Sequence, residues 1–390
     1  MESLRIGMFS WESPHSVKVG GISPHVTELS ETLAKMGHEV HIFTRKGWYR
    51  DYDEINGVHY ERCGNDNSGD IIWQMDSMCG SMYDRLTSFK KKYGDFDVLH
   101  GHDWHPVKAL CKIKEDHGNP FVLTYHSTEW GRNGNNEGNW WGSKEISHRE
   151  WLGGYESSQV IATQEQFKKE IMNLYQIPED KISVIPNGIY DGKMQKDVEP
   201  EEIKLQNGID PSSPVVLFTG RMNYQKGPDM LARAIPWVLN NERDANFVFI
   251  GEGDMRGHCE QLVYEMGVQD SCHFLGYAPN DVLTDWMNTA DIACVPSRNE
   301  PFGIVVLEAW DASRPVIATD AIHLIDNFSN GIVGYQTPES IGWCLNYALD
   351  GLNSSTKQMG INGKKMIKAK YCWEKIAKST LDTYNNAMGK

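Results

Sequence analysis

The fold class is decided by the stretch Leu4-Arg-Ile-Gly-Met-Phe-Ser10 together with Val26-Thr-Glu-Leu-Ser-Glu-Thr-Leu-Ala-Lys-Met36 and Glu39-Val-His-Ile-Phe-Thr44. The first and third segments are short and apolar, as buried strands are. The second has apolar residues at 26, 29, 33 and 36, which is the period of an amphipathic helix, and Gly37 is suited to end that helix. A strand, a helix and a strand in this order form a right-handed unit of a parallel sheet.

The same alternation continues along the chain in two series. Further strands are predicted at Val98–His100, Phe121–Tyr125, Gln159–Ala162, Ile182–Ile185, Pro214–Thr219, Asn246–Gly251, His273–Leu275, 291–295 and Pro315–Thr319, and further helices at Met230–Leu239 and 255–266. Residues 190–214 separate the two series and are polar without an apolar period, as a linker is. The pattern predicts an α/β protein with two doubly wound, Rossmann-like domains that face each other across a cleft.

The composition restricts the function. The chain has 390 residues, enough for two domains that each bury a core, and 40% of them are apolar. Its formal net charge of -15 argues against a bulk nucleic-acid binder, because such proteins need clustered Lys and Arg. A local basic pocket for one small anion stays possible.

The sequence also predicts the cellular setting. No window approaches the roughly 18 consecutive apolar residues that a membrane helix needs, and no signal-peptide pattern precedes the first strand. The 8 cysteines are scattered without a Cys-x2-Cys pair, which indicates reduced core residues. We therefore predict a cytoplasmic protein, at most peripheral to a membrane.

Two carboxylates stand close together after the strand at 291–295, in Glu300-Pro-Phe-Gly303 and at Glu308 within a helix-like run. Ligands of parallel sheets bind at the carboxyl ends of strands, and an ionised carboxylate accepts hydrogen bonds from two neighbouring hydroxyls. Glu300 and Glu308 could therefore hold the two sugars of a nucleotide sugar, its hexose and its ribose. A solvated helix face is the alternative for this spacing alone.

A basic pair, Arg221 and Lys226, lies on a Gly-bounded loop after the strand Pro214–Thr219. A guanidinium fork and an ammonium group five residues away can clamp a diphosphate. A solvated surface pair is the alternative.

Paired glycines occur between the first strand and the first helix, in Lys18-Val-Gly20-Gly21. Glycines let the backbone approach a phosphate or a sugar closely, and the following helix presents unpaired N–H groups to an anion. The pattern is not the G-x-G-x-x-G dinucleotide fingerprint, and an ordinary turn is the alternative.

A polar loop with three tryptophans follows His126, which itself ends the strand Phe121–Tyr125. The loop contains Trp130, Trp140 and Trp141 around an Asn- and Gly-rich stretch. Indole faces stack on sugar rings, and amides suit hydroxyl groups, so the loop is a candidate acceptor site. A satisfied core histidine is the alternative for His126.

Histidines are also dense in Leu99-His-Gly-His-Asp-Trp-His105. This spacing is neither H-x3-H on a helix nor H-E-x-x-H, and no partner carboxylate motif follows. We therefore predict a strand-end turn at the cleft, in which His102 and Asp103 contact the acceptor, and a metal site at these histidines is the alternative.

In their order and spacing these motifs resemble the retaining glycosyltransferases of the GT-B class, specifically the family-4 group that includes archaeal-type glycogen synthases and sucrose-phosphate synthases. The resemblance covers nearly the whole chain. It is carried by Lys18–Gly21, His102–His105, His126, Val184–Gly188, Gly220–Arg221, Lys226–Gly227, Gly251–Gly253, Pro296–Ser297, Glu300–Gly303, Leu307–Ala309 and Tyr371–Ile376.

The resemblance implies two domains and a crossing tail. The N-terminal acceptor-side domain would comprise residues 1–195 and be completed by the C-terminal helix 371–390. The nucleotide-sugar domain would comprise residues 205–370.

In the C-terminal domain, the resemblance implies that Arg221 and Lys226 bind the donor diphosphate. Glu308 would bind the ribose, and Glu300 the hydroxyls of the transferred sugar. The backbone of Phe302 and Gly303 would lie beside that sugar.

In the N-terminal domain, the resemblance places His126 near the reacting carbon. Gly20 and Gly21, with Lys18, would close over the donor phosphates or face the acceptor. The implied reaction is transfer of a hexose, glucose from ADP- or UDP-glucose above all, to a glycan with retention of configuration. The leaving diphosphate would take the acceptor's proton, so no cofactor and no metal are expected.

One segment departs from the family pattern. Thr319-Asp-Ala-Ile322-His323 stands where relatives carry Gly-Gly-x-Pro-Glu, and glycines there let the backbone approach the donor. Ile322 and His323 therefore put donor geometry in question. The alternatives left open are a lipid-linked or small polar acceptor, and a sugar-nucleotide-binding protein with little turnover. The donor base, the acceptor and the oligomeric state are not fixed by the sequence.

Overall fold

The computed structural model describes residues 3–18, 20–352 and 354–390 and divides into two compact units. The first unit runs to Gly188 and includes Trp373–Lys390, and the second is Ile189–Cys372. Each unit has one sheet covered by helices on both faces, which is the predicted α/β architecture.

The first unit contains an eight-stranded sheet in the order β3-β4-β2-β1-β5-β6-β7-β8. Its neighbours are parallel except for the antiparallel edge pair β3 and β4. The strands are β1 (Arg5–Phe9), β2 (Glu39–Arg45), β3 (Tyr52–Ile55), β4 (Val58–Cys63), β5 (Val98–His102), β6 (Phe121–Tyr125), β7 (Gln159–Ala162) and β8 (Ile182–Val184). The helices are α1 (Ile22–Lys35), α2 (Ile71–Tyr93), α3 (Val107–His117), α4 (Glu129–Arg132), α5 (Trp141–Glu156), α6 (Glu165–Tyr175) and, from the tail, α14 (Trp373–Ala387).

The second unit contains a six-stranded, fully parallel sheet in the order β11-β10-β9-β12-β13-β14. The strands are β9 (Val215–Thr219), β10 (Asn246–Ile250), β11 (Cys272–Gly276), β12 (Ile292–Val295), β13 (Val316–Thr319) and β14 (Ile332–Gly334). The helices are α7 (Pro200–Gln206), α8 (Pro228–Leu239), α9 (Arg256–Glu265), α10 (Asn280–Thr289), α11 (Ile304–Asp311), α12 (Pro338–Asp350) and α13 (Ser355–Met366), which continues into a π-helical turn, Ile367–Tyr371.

The C-terminal tail joins the first unit because its apolar face is buried there. Trp373 and Tyr384 are almost fully buried. The indole N–H of Trp373 donates to Glu28 Oε2 at 2.7 Å, and the Tyr384 hydroxyl lies 2.7 Å from His100 Nδ1. These contacts tie α14 to α1 and to the edge where β5 ends.

The two units divide between Gly188 and Ile189, a few residues before the predicted end of the first domain at 195, and the residues predicted to be a linker, 190–214, are folded. The carboxylate of Asp311 accepts the backbone N–H groups of Gly192 and Met194. Ile189 and Met194 are buried in the core of the second unit, and α7 lies within the predicted linker. Tyr371 also belongs to the second unit, because its ring packs near Trp310.

The cysteines, the helix lengths and the start of α1 can be compared with the sequence predictions. All 8 cysteines are free thiols, and five of them are buried, as predicted. None of the described helices has an apolar stretch long enough to cross a membrane. Helix α1 begins at Ile22 rather than at Val26, which brings His25 into its first turn.

Candidate functional site

Three histidines from three elements meet where β5 and β6 end in the first unit. His102 ends β5, His126 follows β6, and His25 lies at the start of α1. One ring nitrogen of each lies within 4.8 Å of the other two, and His102 Nδ1 is 3.1 Å from His126 Nε2. Burial lowers the pKa of all three, to about 3 for His126. This histidine cluster is therefore uncharged at neutral pH.

Asp103 holds the turn that carries His126. Its backbone is left-handed, with φ of 59°, which places the side chain under the end of β6. Oδ1 accepts the backbone N–H of His126 at 2.6 Å and that of Ser127 at 3.4 Å. Burial raises the pKa of Asp103 to about 6, against the opposing charge of Arg132. Asp103 is thus a positioning residue for His126.

A buried network, which we call the arginine–glutamate network, fixes the segment after His126. Arg132 donates to Ser127 Oγ at 2.5 Å, to Glu129 Oε2 at 3.1 Å and to Glu150 Oε1 at 2.6 Å. Glu150 also accepts the N–H of Glu129 and the hydroxyl of Tyr175. Burial raises the pKa of Glu150 to about 7, although Arg132 acts in the opposite direction. Nearly every polar atom of this network has a partner, so it holds α4 rigidly.

The three tryptophans predicted to bind the acceptor lie in two separate places. A cavity of about 610 Å³ is lined by Trp130, Asn133, Asn136, Glu137 and Asn139. An aromatic face among amides is a lining that suits sugar hydroxyls. Trp140 and Trp141 do not line it but are exposed at the start of α5, with their rings in edge contact. The loop therefore offers a concave polar site and a separate exposed aromatic surface.

The predicted acceptor role of His102 and Asp103 is not supported by their position. The His102 side chain is completely buried, and that of Asp103 is 2% exposed. Both side chains contact the protein around His126 and offer almost no surface to a sugar. Their observed role is to position His126, through the Asp103 carboxylate on its backbone N–H and the His102 ring on its side chain.

The glycine-rich loop before α1 is held by Glu12. The buried carboxylate of Glu12 accepts the N–H of Gly20 at 2.5 Å, so this N–H is not free for a phosphate. Gly21 caps α1 without a side-chain hydrogen bond, and the first turn of α1 carries no acidic residue. The positive end of this helix therefore has no acidic side chain in its first turn, and the nearest carboxylate described at this loop is that of Glu12 on Gly20. Lys18 is exposed, and Val19 lies outside the described residues.

In the second unit, glycines pack two strand-end loops together after β9 and β10. Gly220 and Gly251 have positive φ, and a Cβ on Gly251 would collide with the Gly220 carbonyl. Gly253 likewise leaves no room for a Cβ against Met222. Arg221 follows Gly220 and is exposed, and its side chain forms no hydrogen bond or ion pair among the described residues. Its guanidinium is available to an anion.

The loop after β9 is tied to the loop after β12 by two ion pairs. Lys226 Nζ lies 2.5 Å from Glu300 Oε2, which also accepts from Ser297 Oγ at 3.2 Å. Arg298 binds both carboxylate oxygens of Asp229, at 2.8 and 2.7 Å. Since β9 and β12 are neighbours in the sheet, Lys226 and Glu300 meet at one edge, although 74 residues separate them.

The start of α11 lies just after Glu300, and its N–H groups are suited to bind an anion. Gly303 caps the helix with φ of 97° and without a side-chain hydrogen bond, and no acidic residue lies in the first turn. Phe302 is buried and anchors the turn. Glu308 is half-buried on the second turn. The predicted donor residues Lys226, Glu300, Phe302, Gly303 and Glu308 are therefore on the loops and helix that meet at one strand edge.

The unusual Ile322-His323 segment does not project two bulky side chains into this region. Ile322 is 2% exposed and belongs to the apolar core of the second unit. Its Cδ1 lies 3.9 Å from the position of a Cβ on Gly303, so it supports the cap of α11 from within. His323 is exposed and lines a separate cavity of about 640 Å³ beside α13.

Sequence reasoning missed several residues that shape these sites. His25, Glu12 and Tyr384 reach the site from α1, the loop after β1 and the tail. Arg132 and Glu150 were not singled out, although two charged residues within the apolar pattern of a small domain signal a paired network. His25 follows Gly21 by four residues, and a correct start for α1 would have placed it at the strand ends.

Comparison with known families divides the chain at nearly the same place. Residues 19–192 match the Glycosyltransferase Family 4 description, and residues 199–366 match Glycosyl transferases group 1. The two matches cover most of the chain, and each corresponds to one of the two units.

Curated relatives extend over the full length. The uncharacterized glycosyltransferase MJ1607 of Methanocaldococcus jannaschii is 35% identical, over 99% of this chain and 99% of the relative. A glycogen synthase of Mycobacterium tuberculosis is 27% identical over 98% of this chain and 94% of the relative. A D-inositol 3-phosphate glycosyltransferase of Frankia alni is 27% identical over 83% of each chain.

Solved structures share the fold. The sucrose-phosphate synthase of Thermosynechococcus elongatus superposes with a TM-score of 0.80 and 20% identity, over 99% of each chain. Anabaena Alr3699/HepE, solved in complex with UDP-glucose, superposes with a TM-score of 0.77 and 15% identity, over 97% of this chain and 99% of that one. Together with the family matches and the M. jannaschii relative, the two Rossmann-like units identify the chain as a GT-B glycosyltransferase of family 4.

Proposed function

We propose that this protein is a retaining hexosyltransferase that moves glucose from a nucleotide diphosphate sugar to a glycan acceptor, as glycogen synthases do. The observation that carries the proposal is the pairing of Lys226 with Glu300 beside the open start of α11. This edge offers a cation and helix N–H groups for a diphosphate, and a carboxylate for sugar hydroxyls.

The donor binds to the second unit in this proposal. Arg221 and Lys226 hold the diphosphate, Glu308 holds the ribose, and Glu300 holds the transferred sugar beside Phe302 and Gly303. Lys226 must partly leave Glu300 when the diphosphate arrives, and this exchange frees the carboxylate for hydroxyl groups. The UDP-glucose complex of the HepE structure supports the donor class, because the two chains share the fold.

The reaction in this proposal breaks the bond between the anomeric carbon and the diphosphate oxygen and forms a bond from the acceptor oxygen to the same face of that carbon. The acceptor's proton passes to the leaving diphosphate. Arg221 and Lys226 stabilise the charge that develops on the leaving group, a role that needs no metal. His126, uncharged at neutral pH, is suited to contact a sugar hydroxyl rather than to transfer a proton.

A glycan acceptor fits the first unit best. The cavity at Trp130 presents three asparagine side chains and one indole, and Trp140 and Trp141 extend the aromatic surface. The 27% identity with a glycogen synthase supports the same acceptor class.

A small polar acceptor is the second candidate. The D-inositol 3-phosphate glycosyltransferase of F. alni matches most of the chain with an identity equal to that of the glycogen synthase. An inositol phosphate would engage the start of α1, whose first turn carries no acidic residue, and would meet the Glu12 carboxylate at the preceding Gly20.

Two measurements test the proposal. Thermal unfolding with ADP-, UDP- and GDP-sugars should show one nucleotide that raises the melting temperature, because a ligand held only by the folded state stabilises it. That donor should then extend a maltooligosaccharide without added metal and with chelator present. No shift with any sugar nucleotide would refute donor binding. Donor binding without transfer to a maltooligosaccharide or an inositol phosphate would favour a binding protein with little turnover.

A further inference from the structure

Four histidines gather at the ends of β5 and β6, and their hydrogen bonds separate them into two kinds. His100 has both ring nitrogens occupied, by the hydroxyls of Tyr384 and Thr124, each at 2.7 Å. Its role is therefore to tie the tail to the sheet. The histidine cluster of His25, His102 and His126 has no comparable set of partners.

Within the cluster, buried ring nitrogens lack hydrogen bonds. The ring nitrogens of His25 and Nε2 of His102 are inaccessible to solvent and have no partner at hydrogen-bond distance and angle, and the Asn187 side chain lies near His25. A buried polar atom left without a partner costs about 1–3 kcal/mol, and an ion that takes one ring nitrogen of His25 relieves that cost at this atom. His126 is half-exposed, which gives the cluster access to solvent.

We propose that the histidine cluster is a binding site for a divalent transition-metal ion, Zn²⁺ above all, with one ring nitrogen from each of His25, His102 and His126 as ligands and an open fourth position toward solvent. Among the described residues, these three are the group of potential ligands whose donor atoms lie within 4.8 Å of one another.

The geometry is close to what the ion requires. Tetrahedral zinc with Zn–N distances of about 2.0–2.1 Å places neighbouring nitrogens about 3.3 Å apart. His102 Nδ1 and His126 Nε2 are already 3.1 Å apart. At the limit of 4.8 Å, the His25 nitrogen must move toward the other two by about 1.5 Å, which requires a rotation of the His25 side chain at the start of α1.

Metal binding and transfer should compete at His126. Because the proposed function has His126 contact a sugar hydroxyl, an ion that takes its ring nitrogen should inhibit transfer. This consequence rests on the proposed function, whereas metal binding itself does not. The site would thus be inhibitory, while catalysis proceeds without metal.

The test starts with metal-free full-length protein and measures Zn²⁺ binding by calorimetry, with X-ray absorption at the zinc edge to count imidazole ligands. We expect one tight ion per chain bound by three histidines, and binding at least about 10-fold weaker in His25→Gln and in His102→Gln. His258→Gln, an exposed histidine of the second unit, and His59→Gln, in a histidine pair at the sheet edge, are the matched controls and should bind as tightly as the parent.

The outcomes separate the two proposals. The metal site would be refuted by X-ray absorption that shows sulfur ligands or fewer than two histidines. It would also be refuted if the control variants lost as much Zn²⁺ affinity as His25→Gln and His102→Gln. The ligand count uses the unsubstituted protein, so a misfolded variant cannot obscure it. Zn²⁺ binding to a protein that transfers no sugar would leave the site standing and refute the proposed function. Transfer that is insensitive to a saturating, histidine-bound ion would refute the inhibitory role.

Discussion

The two units place ionisable groups at their strand ends in opposite ways. In the first unit, His25, His102 and Asp103 are buried, and burial shifts their pKa values away from the charged form. In the second unit, Arg221 is exposed, and Lys226 and Glu300 form an ion pair that a ligand can open. The first unit uses neutral polar groups, and the second uses charge.

The difference corresponds to the chemistry proposed for each unit. A neutral glycan offers hydroxyl groups, which neutral histidines and amides can match without the cost of leaving a buried charge unpaired. A nucleotide diphosphate carries charge, which accessible cations and a helix start can receive. Two related sheets thus support two kinds of recognition through the different residues at their strand ends.

Acidification should affect the first unit far more than the second. Burial lowers the pKa of eight of its histidines, five of them far below the ordinary value, so below about pH 6.5 the unfolded chain binds protons that the folded unit does not, and stability falls as pH falls. Asp103 and Glu150, with raised pKa values of about 6 and 7, act in the opposite direction but are fewer. We expect a net loss on the order of 5 kcal/mol between pH 7 and pH 5. The five histidines are His25, His100, His102, His105 and His126.

Buried cysteines provide the measurement for each unit. Cys79 belongs to the first unit and Cys294 to the second, and both are free and buried. A brief thiol-labelling pulse at each pH reports which unit opens, and the ratio of the two labels cancels the pH dependence of the reagent. The ratio of Cys79 to Cys294 labelling should rise sharply toward pH 5. An unchanged ratio would contradict the prediction that acidification destabilises the first unit more than the second.

Glu150→Ala should cost the first unit about 3–5 kcal/mol, because it leaves Arg132 buried without its main partner. Glu156→Ala on the same helix is the control. Glu156 pairs with Lys114 at 2.8 Å but is 32% exposed, so its loss should cost about 0–1 kcal/mol. Urea unfolding followed by circular dichroism gives both values. Equal costs would mean that the arginine–glutamate network adds nothing beyond an ordinary surface pair.

Much of the fold could be predicted because strands and helices alternate with clear periods. The hairpin of β3 and β4 was missed because β3 is polar and alternately exposed at the sheet edge. A local signal was present, since Asn56-Gly57 joins the two strands and both residues have positive φ, as a two-residue hairpin turn requires. The 23-residue helix α2 was also missed, because its apolar face is built largely from methionines in a polar sequence.

Of the two candidate sites, one could be assembled from the sequence and the other could not. Lys226 and Glu300 lie on the loops of neighbouring strands, so strand-end reasoning could bring them together before any contact was known. The histidine cluster draws on three segments, and its support from Tyr384 comes from a residue 284 positions away from His100. No periodicity encodes such a contact, because it depends on where the tail helix packs.

Lys226→Ala should lower kcat/KM by about 10²-fold or more, because it removes a cation from the leaving diphosphate. Glu300→Ala should have a similar effect, and the double variant should be less than additive since the two side chains interact at 2.5 Å. Lys196→Ala is the matched control, because Lys196 forms an exposed pair with Asp285 at the same distance in the same unit. A comparable loss in Lys196→Ala would show that the effect is one of stability rather than donor binding.

The smallest expected effect tests whether the exposed aromatic surface of the first unit is reserved for the acceptor. Trp141→Ala should raise the KM for a maltooligosaccharide by about 5-fold and leave the KM for the donor unchanged, since ring stacking contributes on the order of 1 kcal/mol. Trp343, which is 57% exposed in the second unit against 62% for Trp141, is the control. Trp343→Ala should change neither constant, because exposure alone does not make an indole a binding surface. If both variants raise the acceptor KM equally, the aromatic surface has no specific role and the cavity at Trp130 must bind the acceptor alone.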